Sequence, residues 1–299
     1  MTLTDQEIQK RFDFGKELIV KAGELAMSYF NSLETLDIKS KGPQDFVSEA
    51  DYNTEVLIKD AIKAKFPDDA FFGEETGPTG LTGANGIWVV DPIDGTQPFL
   101  MGMTSWCVSI AFVSQSQIEI GLVYSPAGNE FFIAQKGKGA TLNGKRIQVR
   151  DAQTLNDGIV SVGYSNRTSP AQLIHMMKGL LENGGMYHRN GSGALGVCYV
   201  ASGALIGYIE FHINSWDCLA ALLLVSEAGG TVNDAFLAGL AEATLGSAVV
   251  GEQQLRRALG DLNTRLRLTY QVIGDASGEL MPLEIEHRGE NRMVGAIFK

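Results

Sequence analysis

The spacing of apolar residues predicts two long helices at the start of the chain. From Thr4 to Phe30, apolar side chains recur every three or four residues, which is typical of an amphipathic helix with one buried face. Thr4 and Glu7 have the spacing of a capping box and mark the start of this helix. A second helix is predicted from about Ser48 to Phe66, and Pro67 ends it because proline cannot continue a helix.

Further along the chain, strand patterns and helical patterns alternate. The predicted strands are Ile87 to Val90, Val108 to Phe112, Ile118 to Tyr124, Glu130 to Ala134, Arg146 to Val149, Gly158 to Tyr164 and Ala204 to Phe211. Helical patterns lie from Ala171 to Asn183, from Ser192 to Ser202 and from Asp217 onward. Asn143 and Gly144 predict a tight hairpin turn. Two mixed sheets with helices between them fit this order, so the fold class is α/β (α+β).

A polar stretch from Asp151 to Asp157 is the predicted boundary between two halves. It separates an N-terminal α+β half, residues 1–155, from a C-terminal α/β half, residues 156–264. Residues 265–299 form an extension, in which alternating apolar residues on both sides of Asp275 to Gly278 predict a hairpin. The extension has two candidate roles: it pairs with a sheet edge, or it contacts a second subunit.

The composition indicates a folded globular protein. The chain has 299 residues, of which 44% are hydrophobic, and this is ample for a packed core. Its net charge of −11 argues against a surface for nucleic acid or for an anionic membrane. The charge does not exclude an anionic substrate, because bound cations would invert the local field.

Other features favour a cytoplasmic protein with no membrane partner. Residues 1–5 are polar and start a helix rather than a signal peptide, and no apolar run is long enough to span a bilayer. The three cysteines, Cys107, Cys198 and Cys218, lie in apolar segments and follow no pairing or zinc-binding pattern. We therefore expect free, buried thiols in a reducing compartment.

The most informative segment runs from Trp88 to Phe99, where an apolar strand ends abruptly in two acids. Asp91 and Asp94 can point their oxygens at one spot, and like charges so close repel unless a cation lies between them. Mg²⁺ binds through a few carboxylates together with substrate phosphate. The backbone N–H groups of Gly95 and Thr96, at a predicted helix start, would face an anion. Metal and phosphate are therefore expected at one site.

Two further acidic segments complete a recognisable pattern. Gly73-Glu74-Glu75-Thr76 precedes the strand, and Ser215-Trp216-Asp217 opens the last helical pattern. The order G-E-E-T, W-V-V-D-P-I-D-G-T and W-D-x-x-A-A resembles the inositol monophosphatase family of Mg²⁺-dependent, often lithium-sensitive phosphatases. The resemblance extends from about Phe12 to about Leu262, and it implies a layered α/β/α/β/α sandwich of two mixed sheets.

The resemblance implies two or three Mg²⁺ ions. Glu74, Asp91 and the backbone carbonyl of Ile93 would hold the first ion, and Asp91, Asp94 and Asp217 would hold the second. A third, weaker ion would lie near Glu74 through waters, so Glu74 counts as a catalytic residue as well as a ligand. The simpler interpretation of an isolated Asp, as a helix cap or part of a solvated turn, is the alternative for each of these acids.

Asp51 and Thr96 are the candidate water activators. The family pattern D-x-V-x-x-x-D matches Asp45 to Asp51, which places Asp51 in a first helical turn where the helix dipole favours its ionised form. A threonine hydroxyl can orient a water and pass its proton toward a carboxylate. The alternatives are a helix-start residue for Asp51 and a helix cap for Thr96, whereas Glu75 is either an outer ligand or part of the surface.

The resemblance also implies a substrate-binding set, which consists of Asp94, Gly95, Thr96, Gly193, Glu210 and Asp217. Gly193 falls where a small residue contacts the substrate. Glu210, seven residues before Asp217, takes the position of a carboxylate that binds substrate hydroxyls, and its alternative is an exposed acid at a strand end. His212 either touches the leaving group or is structural. Pro98 departs from the family, which usually has Asn there, and this bears on the substrate rather than on the metal site.

The leading hypothesis is an Mg²⁺-dependent phosphate monoester hydrolase, expected as a homodimer, that acts on a small-molecule ester, inositol 1-phosphate first. Histidinol phosphate is the next substrate, followed by fructose 1,6-bisphosphate and 3′-phosphoadenosine nucleotides. Few basic residues surround the recognisable site, which disfavours a second phosphate. A regulatory or binding protein that keeps the fold is the alternative of a different class. The intact ligand set argues against it, because a pure binder does not need Thr96 and Asp51.

Overall fold

A computed structural model of the chain describes residues 3–36, 38–42, 45–232, 271–272, 281–282 and 294–297. Within these ranges the α-helices are α1 (Asp5–Phe30), α2 (Glu49–Lys65), α3 (Thr96–Leu100), α4 (Pro170–Glu182), α5 (Gly193–Ala201) and α6 (Ser215–Glu227). The strands are β1 (Ile38–Gly42), β2 (Asp45–Ser48), β3 (Ala70–Gly73), β4 (Gly77–Thr79), β5 (Ile87–Asp94), β6 (Cys107–Ser114), β7 (Gln117–Ser125), β8 (Glu130–Gln135), β9 (Gly139–Leu142), β10 (Lys145–Arg146), β11 (Ile159–Val162), β12 (Met186–His188), β13 (Gly207–Glu210), β14 (Gln271–Val272), β15 (Met281–Pro282) and β16 (Val294–Ile297).

Two mixed sheets organise the described residues. The large sheet has the order β10-β9-β8-β7-β6-β5-β3-β4, in which β3 and β5 run parallel and the other neighbours run antiparallel. The small sheet has the order β12-β11-β13-β16, in which β11 runs parallel to both of its neighbours and β16 runs antiparallel to β13. β1 with β2, and β14 with β15, form separate antiparallel pairs.

The helices and sheets stack as five layers around separate hydrophobic clusters. α1 and α2 pack on one face of the large sheet, where Ile19 joins a buried cluster around Trp88. α5 and α6 lie between the two sheets, and Leu219 is among the residues buried there. Met176 and Leu180 of α4 cover the outer face of the small sheet. The α/β/α/β/α sandwich of two mixed sheets is therefore confirmed.

Strand β5 is buried on both faces, which explains its apolar sequence. Trp88 and Val90 belong to the cluster under α1 and α2, whereas Ile87 and Val89 belong to the cluster that contains α6. Successive side chains of a strand point to opposite faces, and helices cover both faces here. A strand in this position needs an uninterrupted apolar run, and the predicted strand Ile87 to Val90 is confirmed.

Both N-terminal helices begin at capping boxes. Thr4 Oγ1 accepts the Glu7 N–H at 3.3 Å, while the Glu7 carboxylate accepts the Thr4 N–H at 2.8 Å. Helix α2 begins in the same way at Ser48, whose N–H donates to Asp51 at 2.9 Å. The predicted start of α1 and the position of Asp51 in the first turn of α2 are therefore confirmed.

One predicted strand, Arg146 to Val149, is wrong beyond its first residue. β10 ends at Arg146, and the Val149 N–H donates to the carbonyl of Ala228 at 3.1 Å, where α6 ends. Ile147 and Val149 pack against the cluster between the sheets. Their apolar alternation thus comes from burial against a helix end and not from pairing along a full strand. The hairpin turn before β10 is confirmed, since Asn143 and Gly144 have φ angles of 49° and 76°.

The predicted C-terminal hairpin lies mostly outside the described residues. Within them, β14 pairs with β15, and β16 pairs with β13 along Gly207 to Glu210. The division of the chain at residues 155 and 264 stays a prediction.

The three cysteines are free and buried, as predicted. All of them belong to the cluster between the two sheets. In the part of the chain that the structure describes, no helix has both the length and the apolar character needed to cross a membrane.

A buried ion pair ties α1 to the starts of β3 and β5. Arg11 donates from Nε and Nη2 to the two oxygens of Asp69 at 2.8 and 2.7 Å, and Trp88 Nε1 donates to the same carboxylate at 3.0 Å. The guanidinium also lies over the rings of Phe66 and Phe112. Because the donors are well aimed and both partners are buried, this pair fixes α1 on the sheet.

We expect Arg11→Met to destabilise the fold by about 3–5 kcal/mol, because it leaves the Asp69 charge buried without its partner. Lys16→Met on the same helix is the control, since its pair with Asp13 is exposed and should contribute under about 1 kcal/mol. Urea denaturation followed by circular dichroism measures both free energies of unfolding. Equal losses in the two variants would contradict the role assigned to the buried pair.

Candidate active site

A cleft of about 780 Å³ opens where β5 ends and where α3, α5 and α6 begin. Backbone N–H groups at helix starts stabilise acidic side chains nearby, so this is a suitable place to gather carboxylates. Its lining includes the acids Glu74, Asp91, Asp94, Glu210 and Asp217 and the basic residues Arg167 and Arg189.

The end of β5 departs from regular strand geometry, and this brings Asp91 and Asp94 to the same cleft. Asp91 lies opposite Ser109 on β6, whereas Asp94 lies opposite Cys107, so three steps on β5 face two steps on β6. Residues three apart on a regular strand point to opposite faces, but the extra residue of a bulge cancels the difference. Pro92, which has no N–H for the ladder, lies within this bulge.

Three acids from three elements meet at this point. Oxygens of Glu74, Asp91 and Asp217 all lie within 4.8 Å of one another. Burial raises the pKa of Asp91, and the neighbouring Glu74 carboxylate raises it further. Like charges this close coexist only with protons or a cation among them. Because carboxylate oxygens are the donors that Mg²⁺ prefers, this group fits the ion that the sequence predicts.

Asp217 is held by the residue that precedes α6. Asn214 donates to Asp217 Oδ2 from its backbone N–H at 3.0 Å and from Nδ2 at 3.1 Å. Arg167 donates to Asn214 Oδ1 at 2.8 Å, which fixes the orientation of the amide. Burial raises the pKa of Asp217, and these donors oppose that rise. One oxygen of Asp217 is thus fixed by the protein, next to Asp91 and Glu74.

Asp94 lies at the N-terminus of α5. Its carboxylate accepts from Ser192 Oγ at 2.5 Å, from the Ala194 N–H at 2.7 Å and from the Gly193 N–H at 3.2 Å. Burial raises the pKa of Asp94, and the Asp217 charge adds to this, while the α5 donors lower it. Asp94 therefore lines the cleft but is anchored to α5, outside the three-carboxylate group. Its role as a metal ligand stays a prediction.

Asp51 and Thr96 lie side by side, as the sequence predicts for a pair of water activators. Thr96 Oγ1 lies 3.3 Å from Asp51 Oδ1 and 3.2 Å from the carbonyl oxygen of Ile93. The second oxygen of Asp51 accepts from the N–H and hydroxyl of Ser48 at 2.9 and 2.7 Å. Burial raises the pKa of Asp51 to about 6, although the Ser48 bonds oppose it. Burial thus outweighs the helix start, which by itself favours the ionised form of Asp51.

Glu210 is a buried acid, with 8% of its surface exposed, so the alternative of an exposed acid at a strand end is wrong. Tyr208 donates its hydroxyl to Glu210 Oε2 at 2.5 Å. Burial raises the pKa of Glu210 to about 8, with the charges of Asp217 and Asp94 adding to the rise. The surroundings of Glu210 thus favour its neutral form.

The two glycines of the predicted substrate set both line the cleft. Gly193 lines the cleft and donates its N–H to Asp94. Gly95 precedes α3 with a left-handed φ of 91°, and a Cβ atom there would lie 2.9 Å from the carbonyl oxygen of Ser105. Glycine is therefore required at position 95 both for conformation and for space.

Sequence reasoning missed Glu55, Arg167, Arg189 and Tyr208. Glu55 carried a signal, because it stands four residues after Asp51 on the buried face of α2, where an acid is unusual. Both arginines lie in loops, where no periodicity marks them. His212 also lines the cleft, and burial lowers its pKa to about 4, so its imidazole is neutral.

Comparison with known proteins identifies a family and several related chains. The profile of the Inositol monophosphatase family matches residues 7–266. The Nus factor SuhB of Haemophilus influenzae is 36% identical over 217 residues, which span 72% of this chain and 81% of that protein. The inositol-1-monophosphatase of Rhizobium meliloti is 32% identical over 251 residues, which span 83% of this chain and 94% of that protein.

A solved structure agrees with these sequence matches. The extragenic suppressor protein suhB of Bartonella henselae superposes with a TM-score of 0.71 at 31% identity, and the match covers 74% of this chain and 86% of that one. The shared part therefore extends over most of both molecules.

We expect Asp91→Asn to weaken Mg²⁺ binding by more than about tenfold while the fold is kept, because it removes charge and not volume. In the metal-free protein the same change should raise the midpoint of thermal unfolding, since it relieves repulsion with Glu74 and Asp217. Calorimetric titration with Mg²⁺ and thermal unfolding in EDTA measure the two effects. Glu24→Gln, exposed on α1, is the control and should change neither. Wild-type Mg²⁺ affinity in Asp91→Asn would contradict the metal site.

Proposed function

The chain belongs to the inositol monophosphatase family, and from this premise we propose that it is an Mg²⁺-dependent phosphatase of a small polyol phosphate, inositol 1-phosphate first. The observation that carries the proposal is the convergence of Glu74, Asp91 and Asp217 beside the Asp51–Thr96 pair. A carboxylate group alone would only bind a cation. The neighbouring pair adds the proton acceptor that hydrolysis requires.

The proposed ligand set is the one that the family resemblance implies, and all of its members line the cleft. Glu74, Asp91 and the carbonyl of Ile93 would hold one Mg²⁺, and Asp91, Asp94 and Asp217 would hold another. Such ions, when bound, neutralise the phosphoryl oxygens and stabilise the attacking and leaving oxygens of the reaction. The protein holds these donors in place through backbone and amide contacts, such as those of Asn214 to Asp217 and of α5 to Asp94.

Asp51 and Thr96 would activate the attacking water. In this proposal the single hydrogen of the Thr96 hydroxyl goes to Asp51 Oδ1 and not to the carbonyl oxygen of Ile93, and the hydroxyl lone pairs accept a hydrogen bond from the water. As the water oxygen bonds to phosphorus, its proton passes through the Thr96 hydroxyl to Asp51 and the ester P–O bond breaks. The departing oxygen takes up a proton from solvent and Asp51 later returns its proton to solvent, so the products are an alcohol and inorganic phosphate.

Glu210 and Tyr208 support a polyol as the leaving group. A protonated carboxyl group both donates and accepts hydrogen bonds, which matches the hydroxyls of a polyol. Histidinol phosphate would instead present an ammonium group, which favours an ionised partner. Because burial favours the neutral form of Glu210, we rank the polyol above histidinol phosphate.

Two residues of the cleft, Arg167 and Arg189, favour the bisphosphate alternatives, because guanidinium groups form bidentate hydrogen bonds to phosphate. Arg167 already donates to Asn214. Arg189 lies close enough to Glu210 for its positive charge to oppose part of the rise in the pKa of that carboxyl group. Because both have acidic or polar neighbours in the protein, the monophosphate stays first and fructose 1,6-bisphosphate is kept as a competing substrate.

A regulatory role is the second candidate, and the names of relatives favour it. Several similar chains are called Nus factor SuhB, among them those of Haemophilus influenzae and Escherichia coli. Turnover of a phosphate ester with Mg²⁺, abolished by EDTA, separates an enzyme from a protein that only binds a partner. The absence of a nucleic-acid partner, the homodimer and the cytoplasmic location stay predictions.

The deciding experiment is kcat/KM for a panel that contains inositol 1-phosphate, histidinol phosphate, fructose 1,6-bisphosphate, 3′-phosphoadenosine nucleotides and glycerol 2-phosphate. We expect inositol 1-phosphate to lead the panel. No turnover of any ester at saturating Mg²⁺ would contradict the proposal.

We expect kcat/KM at saturating Mg²⁺ to rise with pH up to about 6 and then to level off, because Asp51 accepts a proton only when ionised. Below about pH 6 the carboxyl group of Asp51 is protonated and cannot accept a proton, so kcat/KM falls about tenfold per pH unit. Asp51→Asn should lower the rate and remove this dependence. The same acidic fall in Asp51→Asn would assign it to another group.

Thr96→Ala should lower kcat by about two to four orders of magnitude with little change in Mg²⁺ affinity, as for loss of a positioned water activator. Thr96→Ser, which keeps the hydroxyl, is the matched control and should retain most of the rate. A raised KM at constant kcat in Thr96→Ala would mean that Thr96 binds phosphate instead.

We expect Glu210→Leu to lower kcat/KM for inositol 1-phosphate and to leave glycerol 2-phosphate nearly unchanged, because leucine has a similar volume but cannot pair with a substrate hydroxyl. The two substrates measured on one preparation provide the internal control. An equal drop in kcat/KM for every substrate would mean that Glu210 supports the metal site or the loop and does not bind the substrate hydroxyls.

A further inference from the structure

Helix α2 carries a second buried acid that the proposed reaction does not use. Glu55 stands one turn after Asp51, and none of its surface is exposed. A carboxylate buried to this extent needs hydrogen-bond donors for its oxygens. The identity of these donors indicates its role.

Both oxygens of Glu55 accept from the segment that carries the ligand Glu74. Oε2 accepts the Glu75 N–H at 2.8 Å, and Oε1 accepts the Thr76 N–H at 2.6 Å. The N–H of Glu74 itself donates to the carbonyl of Val90 on β5 at 3.2 Å. Three consecutive amides are thus tied, one to β5 and two to α2.

The residues around Glu55 leave space for its contact with the Glu75 and Thr76 amides and add a further hydrogen bond to the same segment. A Cβ atom on Gly73 would lie 2.3 Å from Cδ of Glu55, so glycine leaves the space that the carboxylate fills. Lys59, one turn further along α2, donates from Nζ to Thr76 Oγ1 at 3.0 Å. β3 therefore ends against α2 in close contact, and Glu74 is the first residue beyond that end.

We propose that Glu55 is a positioning residue that holds Glu74 in the metal site and thereby sets the affinity for Mg²⁺. Asp51 and Glu55 lie four residues apart on one helix, so they are neighbours on the same helix face. Helix α2 thus fixes the proton acceptor and the ligand segment relative to each other. This inference rests on the proposed function only in taking the Glu74 group to bind Mg²⁺.

Glu55→Gln tests the proposal with little change in volume. Glutamine keeps one acceptor oxygen, but its NH₂ group cannot accept from a backbone N–H, so one of the two loop amides loses its partner. We expect the Kd for Mg²⁺, measured by titration calorimetry, to rise about 10- to 100-fold, the range for loss of a group that orients a metal ligand. Hydrogen exchange of the Glu75 and Thr76 amides should become faster. Asp60→Asn, exposed on the same helix, should change neither.

A double-mutant cycle separates positioning from a general loss of stability. In a Glu74→Gln background Glu55 has no ligand carboxylate to position, so Glu55→Gln should then change the Kd by less than about twofold. An equal further weakening in both backgrounds would overturn the proposal, as would an unchanged Kd in the single variant. Glu55→Asp keeps the charge but shortens its reach, and it serves if Glu55→Gln does not fold. An intermediate Kd for Glu55→Asp supports the proposal, and a wild-type Kd overturns it.

These outcomes are distinct from those that test the reaction. Wild-type protein that binds Mg²⁺ but hydrolyses no ester would contradict the phosphatase, and the calorimetric comparison would still decide the role of Glu55. Wild-type protein that binds no Mg²⁺ would overturn the role of Glu55 in metal affinity.

Discussion

The burial of several carboxylates around the end of β5 is the constraint on which the rest of the structure depends. Burial raises the pKa of Asp91, Asp94 and Asp217, which shows how little the surroundings favour their charges. Taking charge out of water is costly unless donors replace the lost hydration. The neighbouring elements supply these donors, from Asn214 to Asp217 and from the first amides of α5 to Asp94. The local structure around the cleft therefore supplies the hydrogen-bond donors that lower the cost of burying these acids.

The N-termini of four helices position most residues of the candidate site. Helices α2, α3, α5 and α6 all begin near the cleft, and each contributes a residue of the site in or next to its first turn: Asp51, Thr96, Gly193 and Asp217. Unpaired amides at a helix start favour acidic groups, so four such starts around one space suit an anionic site. The bulge at Pro92 completes the arrangement, because it turns Asp91 and Asp94 toward the same side.

Apolar periodicity and helix starts are local signals, and they predicted the main helices and strands, whereas the layers and the segments of the candidate site came from the resemblance to the family. The sequence did not predict how burial acts on single groups. The position of Asp51 in its helix was predicted correctly, but the effect of burial on its pKa could not be predicted, since the packing around it comes from distant parts of the chain. Glu55 resembles any acid on a helix until its partners at Glu75 and Thr76 are known. Val149 alternates like a strand residue although it meets the end of α6.

The parallel strands β3 and β5 begin beside one charge and end beside others. At their start Asp69 is neutralised by Arg11, a cation that is part of the chain. At their far ends Glu74 and Asp91 converge with Asp217, where the counter-charge that we propose is an ion from solution. With Mg²⁺ bound as proposed, this pair of strands would have a counterion from the chain at one end and an exchangeable counterion at the other. The first end would then be indifferent to the ionic composition of the surroundings, whereas the order of the second end would follow the free Mg²⁺ concentration.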